Sequence, residues 1–181
     1  MKQDTTKISK FLSYVLRHKP ESIAIKLDAD GWIAIDTLLL QANRYGHKLN
    51  REILDHVVET NDKKRFTLSA DKSMIRAAQG HSSQQVSMSL NEQVPPKFLY
   101  HGTAIRFQDS ISQQGLIPGN RHYVHLSDNQ QTALTVGARH GKPVVLIINA
   151  KTMHIEGFKF YLSDNNVWLT EHVPSKFILA K

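Results

Sequence analysis

The chain contains no cysteine, which removes disulfides, thiolate zinc sites and a cysteine nucleophile together. That absence suits a reducing compartment, and the cytoplasm is the expected location. Nowhere does the sequence approach the run of about eighteen apolar residues that a spanning helix needs, so a membrane partner is not expected. Met1 to Lys10 is polar and lacks the apolar stretch of a secretory signal. Acidic residues are also scarce. Sixteen Asp and Glu stand against 23 Lys and Arg, a net charge of +7, with a pI near 9.6. The excess is +3 over residues 1–94 (14 basic, 11 acidic) and +4 over residues 95–181 (9 basic, 5 acidic), so no basic tail accounts for it. A distributed positive field suits a polyanionic partner, RNA or DNA being the commonest. A basic protein with no nucleic-acid role would satisfy the same numbers.

What is present falls into two halves of an α+β chain. The stretch from Ala78 to Pro96 is rich in Gln and Ser, has weak periodicity and ends in Pro95-Pro96, so a boundary is placed near Glu92, giving lobes 1–92 and 93–181. In the first, Ile8, Phe11, Leu12, Val15 and Leu16 have helical spacing, with Thr5 or Thr6 as N-cap and Pro20 beyond the end. Asp30-Gly31 marks a turn and Trp32 to Ile35 a short strand. Asp36 is expected to cap a helix carrying Leu38, Leu39 and Leu40, and Asn50 the next, with Ile53, Leu54, Val57 and Val58 inward. Arg65 to Leu68 and Met74 to Ala77 would pair as a hairpin across Ala70-Asp71-Lys72. Three helices and a two-stranded ribbon make a winged-helix arrangement. In the second half strands are expected at 98–101, 123–127, 144–149, 167–170 and 177–180. One helix should run from Ile105 to Gln114, stopping at Gly115, and another from Asp128 as N-cap through Ala138.

The residues able to carry chemistry are individually ambiguous. On a helical wheel Arg17 lies about 180° from Ile8 and His18 about 80° to one side, off the apolar stripe. Cations in a last turn also simply complement the helix dipole, and Arg139 admits the same reading. Arg65 opens a strand and could be a solvated edge. Gln79-Gly80-His81-Ser82 is a polar turn segment of low specificity. His101-Gly102-Thr103 ends a strand with a ring, a hydroxyl and a glycine that lets backbone approach a ligand closely, although a strand histidine satisfied by a carbonyl is the alternative. In Arg121-His122-Tyr123-Val124-His125-Leu126-Ser127 period-two alternation puts His122 and His125 on opposite faces, so they do not chelate, and no metal is expected.

Taken together, these segments resemble the NAD⁺-dependent RNA 2′-phosphotransferases. The resemblance is carried by Leu12-Ser13-Tyr14-Val15-Leu16-Arg17-His18, Asp30-Gly31-Trp32, Asn61-Asp62-Lys63-Lys64-Arg65-Phe66 and Gln79-Gly80-His81-Ser82. It continues through Tyr100-His101-Gly102-Thr103, His125-Leu126-Ser127, Gly137-Ala138-Arg139 and Asn166-Val167-Trp168-Leu169, in the family's order and over nearly the whole chain. It implies an N-terminal winged-helix-like RNA lobe followed by a C-terminal lobe of ADP-ribosyltransferase fold with a mostly β core. It also implies a catalytic set, Arg17, His18, Arg65 and Arg139, and an NAD⁺-binding surface from His101, Gly102, Thr103, His125 and Ser127. The partners would be RNA bearing an internal 2′-phosphate, and NAD⁺ as co-substrate; a monomer is the expected state.

The implied reaction has two steps. The 2′-phosphate attacks C1″ of the nicotinamide ribose to give RNA-2′-phospho-ADP-ribose and nicotinamide. O2″ then attacks phosphorus, releasing 2′-OH RNA and ADP-ribose 1″,2″-cyclic phosphate. A phosphate monoester near two negative charges suits guanidinium forks, which bind its oxygens in pairs. Many members of the wider fold place a carboxylate near where Val167-Trp168 stands, with Glu171 only nearby here. A nucleophile that arrives already charged has no need of it. Two alternatives share part of this evidence: an ADP-ribosyltransferase that caps terminal nucleic-acid phosphates, and a non-catalytic winged-helix nucleic-acid binder.

Overall fold

The structure is a computed structural model that describes residues 5–83, 86–87 and 90–179. The chain forms two compact units, Met1–Ser89 and Leu90–Lys181. Each mixes helices with small antiparallel sheets, and each has its own apolar core.

The first unit is built on α1 (Thr5–Arg17), whose Leu12, Val15 and Leu16 are fully buried. The stripe spacing of 3 and 4 residues makes these three one face of the helix. Then come β1 (Ile33–Ala34), α2 (Ile35–Arg44), α3 (Arg51–Glu59), β2 (Phe66–Leu68) and β3 (Met74–Ala77), with sheet order β1-β3-β2. Leu38, Leu54 and Ile75 join the α1 residues in the core at zero exposure, each burial worth about 1.5–3 kcal/mol. The expected hairpin is present, with Phe66 opposite Ala77 and Leu68 opposite Ile75. Its turn is held by Asp71, which accepts from the Ser69 and Ser73 hydroxyls and the Ser73 N–H; these bonds pull its carboxyl down to about 2.

The expected cap of α2 is corrected. Asp36 does not cap α2. Ala34 occupies that position, extended and without a side-chain cap, and the Ile35 N–H is satisfied by the Ser73 carbonyl at 2.9 Å. Strand β1 therefore stops one residue short of Ile35, and Asp36 sits in the first turn, where its charge suits the dipole. Leu40 is 68% exposed. Consecutive helical residues lie about 100° apart, so Leu38, Leu39 and Leu40 cannot share a face. By contrast Asn50 does cap α3, its Oδ1 accepting from the Ile53 N–H at 2.9 Å.

The second unit has two three-stranded antiparallel sheets. One has the order β4 (Leu99–Ala104), β6 (Pro143–Ile148), β9 (Ile178–Leu179); the other, β5 (Val124–Leu126), β8 (Trp168–Thr170), β7 (Tyr161–Leu162). They meet where Tyr100 and Ser127 exchange backbone hydrogen bonds at 2.8 and 2.9 Å. Helices α4 (Gln108–Gln114), α5 (Gln130–Gly137) and α6 (Ala150–Ile155) complete it, around a core that includes Leu99, Ile148, Met153 and Phe160. Asn129, not Asp128, caps α5: its Oδ1 accepts from the Thr132 N–H at 2.8 Å. That helix ends at Gly137 and tightens into a 3₁₀ turn, Ala138–His140. The short elements α6 and β7 have no counterpart among the sequence expectations. Phe177 lies in a 3₁₀ turn ahead of β9, and Ala180, expected in that strand, is outside the described residues. Among the described residues no helix is long and apolar enough to cross a membrane.

Candidate phosphate-binding cleft and strand-end residues

The first unit contains a cleft of about 540 Å³ against one side of α1. Arg17, His18 and Arg65 all line it, with Lys10, Lys63 and Asn61. Three residues read separately from the sequence thus share one space, and the reason is local. Helix α1 ends at Arg17, so Arg17 closes its last turn and His18 follows it, and the Arg17 carbonyl accepts the N–H groups of Ser82 (2.9 Å) and Ser83 (3.2 Å). Ser82 returns along the helix end to place its Oγ 2.8 Å from His18 Nδ1, which fixes the plane of the ring. The polar segment 79–82 therefore acts as a support for His18. Its neighbour His81 is buried and packs on Gly31, whose φ of +80° marks the turn before Trp32; a Cβ there would stand 3.0 Å from His81 Nε2. Two motif segments far apart in sequence meet at that contact.

Arg65 is placed by Asn61. The Asn61 side chain is buried, and its Nδ2 donates to Ser9 Oγ on α1 at 3.0 Å. Its Oδ1 accepts from Arg65 Nη1 at 3.3 Å and from the Arg65 N–H at 3.4 Å. The intervening turn closes with the Lys64 N–H on the Asn61 carbonyl at 2.8 Å, and Lys64 takes the left-handed conformation, φ 42°. The Arg65 carbonyl in turn accepts from Arg17 Nη2 at 3.4 Å. In the sequence Asn61 is visible only as part of a motif; the feature that could have singled it out is a buried amide three residues before a left-handed turn position.

The second unit carries the other named residues. Arg139 lies exposed in the 3₁₀ turn that follows α5. On β4, alternation puts His101 and Thr103 on one face and Gly102 on the other. The Gly102 face is covered by α5: a Cβ there would lie 1.6 Å from the Ala133 carbonyl oxygen, and one on Gly137 would lie 2.7 Å from the Thr103 carbonyl oxygen. The close approach that Gly102 permits is therefore that of a helix backbone. His101 Nδ1 lies 3.0 Å from the His125 carbonyl. A carbonyl only accepts, so Nδ1 carries the proton. Burial pushes the His101 pKa down; the carbonyl bond opposes this and the nearby His140 charge assists it. The neutral ring therefore has a bare Nε2, an acceptor. Ser127 Oγ accepts from the Asn129 N–H at 3.0 Å, which leaves its own proton to donate. Thr170 is buried with its hydroxyl on the Lys159 carbonyl at 2.9 Å, and Glu171 is exposed.

Two arginines, a supported imidazole and two lysines around one cleft make a cationic surface of the kind that suits a phosphorylated, polyanionic ligand. Comparison with known proteins narrows this. Residues 2–172 match the family described as RNA 2′-phosphotransferase, Tpt1/KptA family. A protein of Pectobacterium carotovorum named "Probable RNA 2′-phosphotransferase" is 60% identical over 171 residues, covering 94% of this chain and 92% of its own. Proteins of the same name from Pseudomonas aeruginosa and Shigella boydii are 58% and 57% identical over 170 residues, covering 94% of this chain and 93% and 92% of theirs. The chain belongs to the RNA 2′-phosphotransferase family, a family of enzymes.

Proposed function

We propose that this enzyme removes an internal 2′-phosphate from RNA by transferring it to NAD⁺, with residues 1–92 as the RNA lobe and residues 93–181 as the NAD⁺ lobe. The observation that carries the reading is the single cleft shared by Arg17, His18 and Arg65 in a chain of this family. The element order of the first unit, helix, strand, helix, helix and two strands in one antiparallel sheet, supports a winged-helix lobe. Two antiparallel sheets joined at Tyr100 and Ser127 support an ADP-ribosyltransferase lobe.

In the first step a phosphate oxygen bonds to C1″, and the C1″–nitrogen pair leaves with nicotinamide. The nucleophile needs no deprotonation, which fits a site built of cations. In the second step O2″ bonds to phosphorus as the bond to the RNA O2′ breaks, closing the 1″,2″-cyclic phosphate. O2″ loses one proton and O2′ gains one. His18, its ring plane set by Ser82, passes that proton or donates to the phosphate. Arg17, Arg65 and Arg139 offset charge on the phosphorus oxygens. His101 Nε2 accepts from a ribose hydroxyl of NAD⁺, and Thr103 and Ser127 donate to it. His125 contributes through the carbonyl that sets the His101 tautomer, and Gly102 by letting α5 pack behind the strand.

The test is incubation with NAD⁺ and an internally 2′-phosphorylated oligonucleotide. Nicotinamide, 2′-OH RNA and cyclic phosphate should appear in equal amounts. ADP-ribosylated RNA that accumulates with no cyclic phosphate would instead identify a phosphate-capping enzyme. A melting temperature insensitive to NAD⁺, with no turnover, would leave only a nucleic-acid binder.

A further inference from the structure

The cleft on α1 is longer than one phosphate requires. Its lining runs from Arg17 and His18 at the end of the helix back to Thr5 and Thr6 at the start. At 1.5 Å per residue that is roughly 20 Å of helix. Between the ends lie Ser9, Lys10, Ser13 and Tyr14, at spacings of three and four that make one stripe. Lys63 and Asp62 belong to the turn after α3 and line the same cleft. Tyr14 is 48% exposed and lines the cleft, so its ring face is open to a flat partner there. An accessible ring, two lysines and several hydroxyls along one groove are what single-stranded nucleic acid uses: bases stack on the ring, and cations follow the backbone. One carboxylate, Asp62, does not reverse that charge balance.

We infer that the RNA strand flanking the 2′-phosphate lies along α1 towards Thr5 and Thr6, with one base stacked on Tyr14 and backbone phosphates on Lys10 and Lys63. The inference rests on the proposed reading of Arg17, His18 and Arg65 as the 2′-phosphate cradle. Roughly 20 Å accommodates about six nucleotides at a stacked rise of ~3.4 Å, and fewer in an extended strand. The enzyme is then a reader of strand length on one side of the modified nucleotide, without reading its sequence, because stacking accepts every base.

Four RNAs carrying one internal 2′-phosphate separate the possibilities: one with both flanks five nucleotides long, one trimmed on the 5′ side, one trimmed on the 3′ side, and a dinucleotide. KM and kcat are measured at saturating NAD⁺ for the wild type, Tyr14→Ala, Tyr14→Phe and the Lys10→Ala/Lys63→Ala double variant. Trimming one flank, and only one, should raise KM by on the order of tenfold, the scale of a lost base stack. Tyr14→Ala should raise KM on the long RNA by a similar factor, Tyr14→Phe should restore it, and the penalty should shrink as that flank is shortened. The double lysine variant should flatten the dependence of log KM on log salt by roughly 1.4, about 0.7 for each phosphate no longer neutralised. Equal KM for all four RNAs overturns the inference, as does a Tyr14→Ala penalty as large on the dinucleotide as on the long strand. So does inhibition by an acidic peptide with none by the unphosphorylated long strand. A wild-type protein that removes no phosphate from any RNA strikes the proposed function instead.

Discussion

Asn61 offers the sharpest separation of stability from charge at the cleft. Asn61→Ala removes the donor to Ser9 (3.0 Å) and the acceptor for Arg65 Nη1 and N–H (3.3 and 3.4 Å). Two of the three bonds are long, so the loss should be about 1–2 kcal/mol, the lower part of what such bonds contribute. Asn61→Asp is different. Its carboxylate still accepts from Arg65, now with charge assistance, and the Ser9 hydroxyl can turn to donate to it, so the fold should be close to wild type in stability. On the proposed reading, however, the new negative charge faces the 2′-phosphate held in the cleft that Asn61 lines. For a dianion roughly 7 Å from the carboxylate the repulsion is about 1.2 kcal/mol in bulk water and about 5 kcal/mol at an effective dielectric of 20. The cleft is open and Arg65 is only partly buried, so the lower figure governs. KM for 2′-phosphorylated RNA should rise roughly eightfold, less at high salt where the charge is screened. Thermal denaturation and steady-state kinetics of both variants decide it. Asn61→Asp that melts as low as Asn61→Ala, or that keeps wild-type KM at low salt, would refute the reasoning.

Arg17→Ala, Arg65→Ala and Arg139→Ala should each lose ~10²–10³ in turnover, the scale of one charge-stabilising donor, while circular dichroism stays native; wild-type turnover in any one would remove that residue from the reaction. Gly102→Ala should unfold or severely loosen the second unit, because a Cβ 1.6 Å from a carbonyl oxygen forces α5 off β4. A cost above about 3 kcal/mol is expected from such overpacking, read as a collapse of the melting transition, and a native melting curve would contradict the geometry. His101, with its pKa held below the ordinary value of 6.5, favours the folded state while neutral. Its stabilising contribution is therefore present above that value and lost as pH falls from about 6.5 towards the depressed folded pKa. NAD⁺ affinity should follow the same sign, persisting to a pH below that of an ordinary histidine and then failing; calorimetric titration of NAD⁺ across acid pH would expose an opposite trend.

The hairpin at 66–77 and the Asn50 cap were legible because short-range rules fix them: alternating apolar residues about a polar turn, and an amide three residues ahead of a helical N–H. The caps at Ala34 and Asn129 were not. At α2 the first N–H is satisfied by Ser73 from the far hairpin, a tertiary bond no local pattern contains. At α5, Asp128 and Asn129 are adjacent and equally suited, and Ser127 decides between them by accepting the Asn129 N–H. The site divides the same way. Arg17, His18 and Arg65 are each unremarkable on their own element. Only the return of segment 79–83 across the end of α1, and the span of Asn61 from Ser9 to Arg65, gather them on one cleft.

On the proposed reading, that placement also explains the guanidinium groups there. A helix C-terminus carries the negative end of the dipole, about half a charge, and repels anions. Arg17 and His18 stand at that end of α1. The last turn is first quieted: the Tyr14 carbonyl accepts the N–H groups of His18 and Lys19 at 3.0 Å each, and the Arg17 carbonyl accepts those of Ser82 and Ser83. With these oxygens satisfied, the residual field at the cleft is set by side chains, and the side chains are cations. Phosphate-binding loops that rely on a helix N-terminus obtain part of their attraction from the backbone. Here the quieted backbone lends a phosphate no such attraction, so on the proposed reading the whole of it has to come from Arg17, Arg65 and their neighbours. Such a site should be more sensitive to losing one cation than an N-terminal phosphate loop, and more sensitive to a carboxylate placed at Asn61.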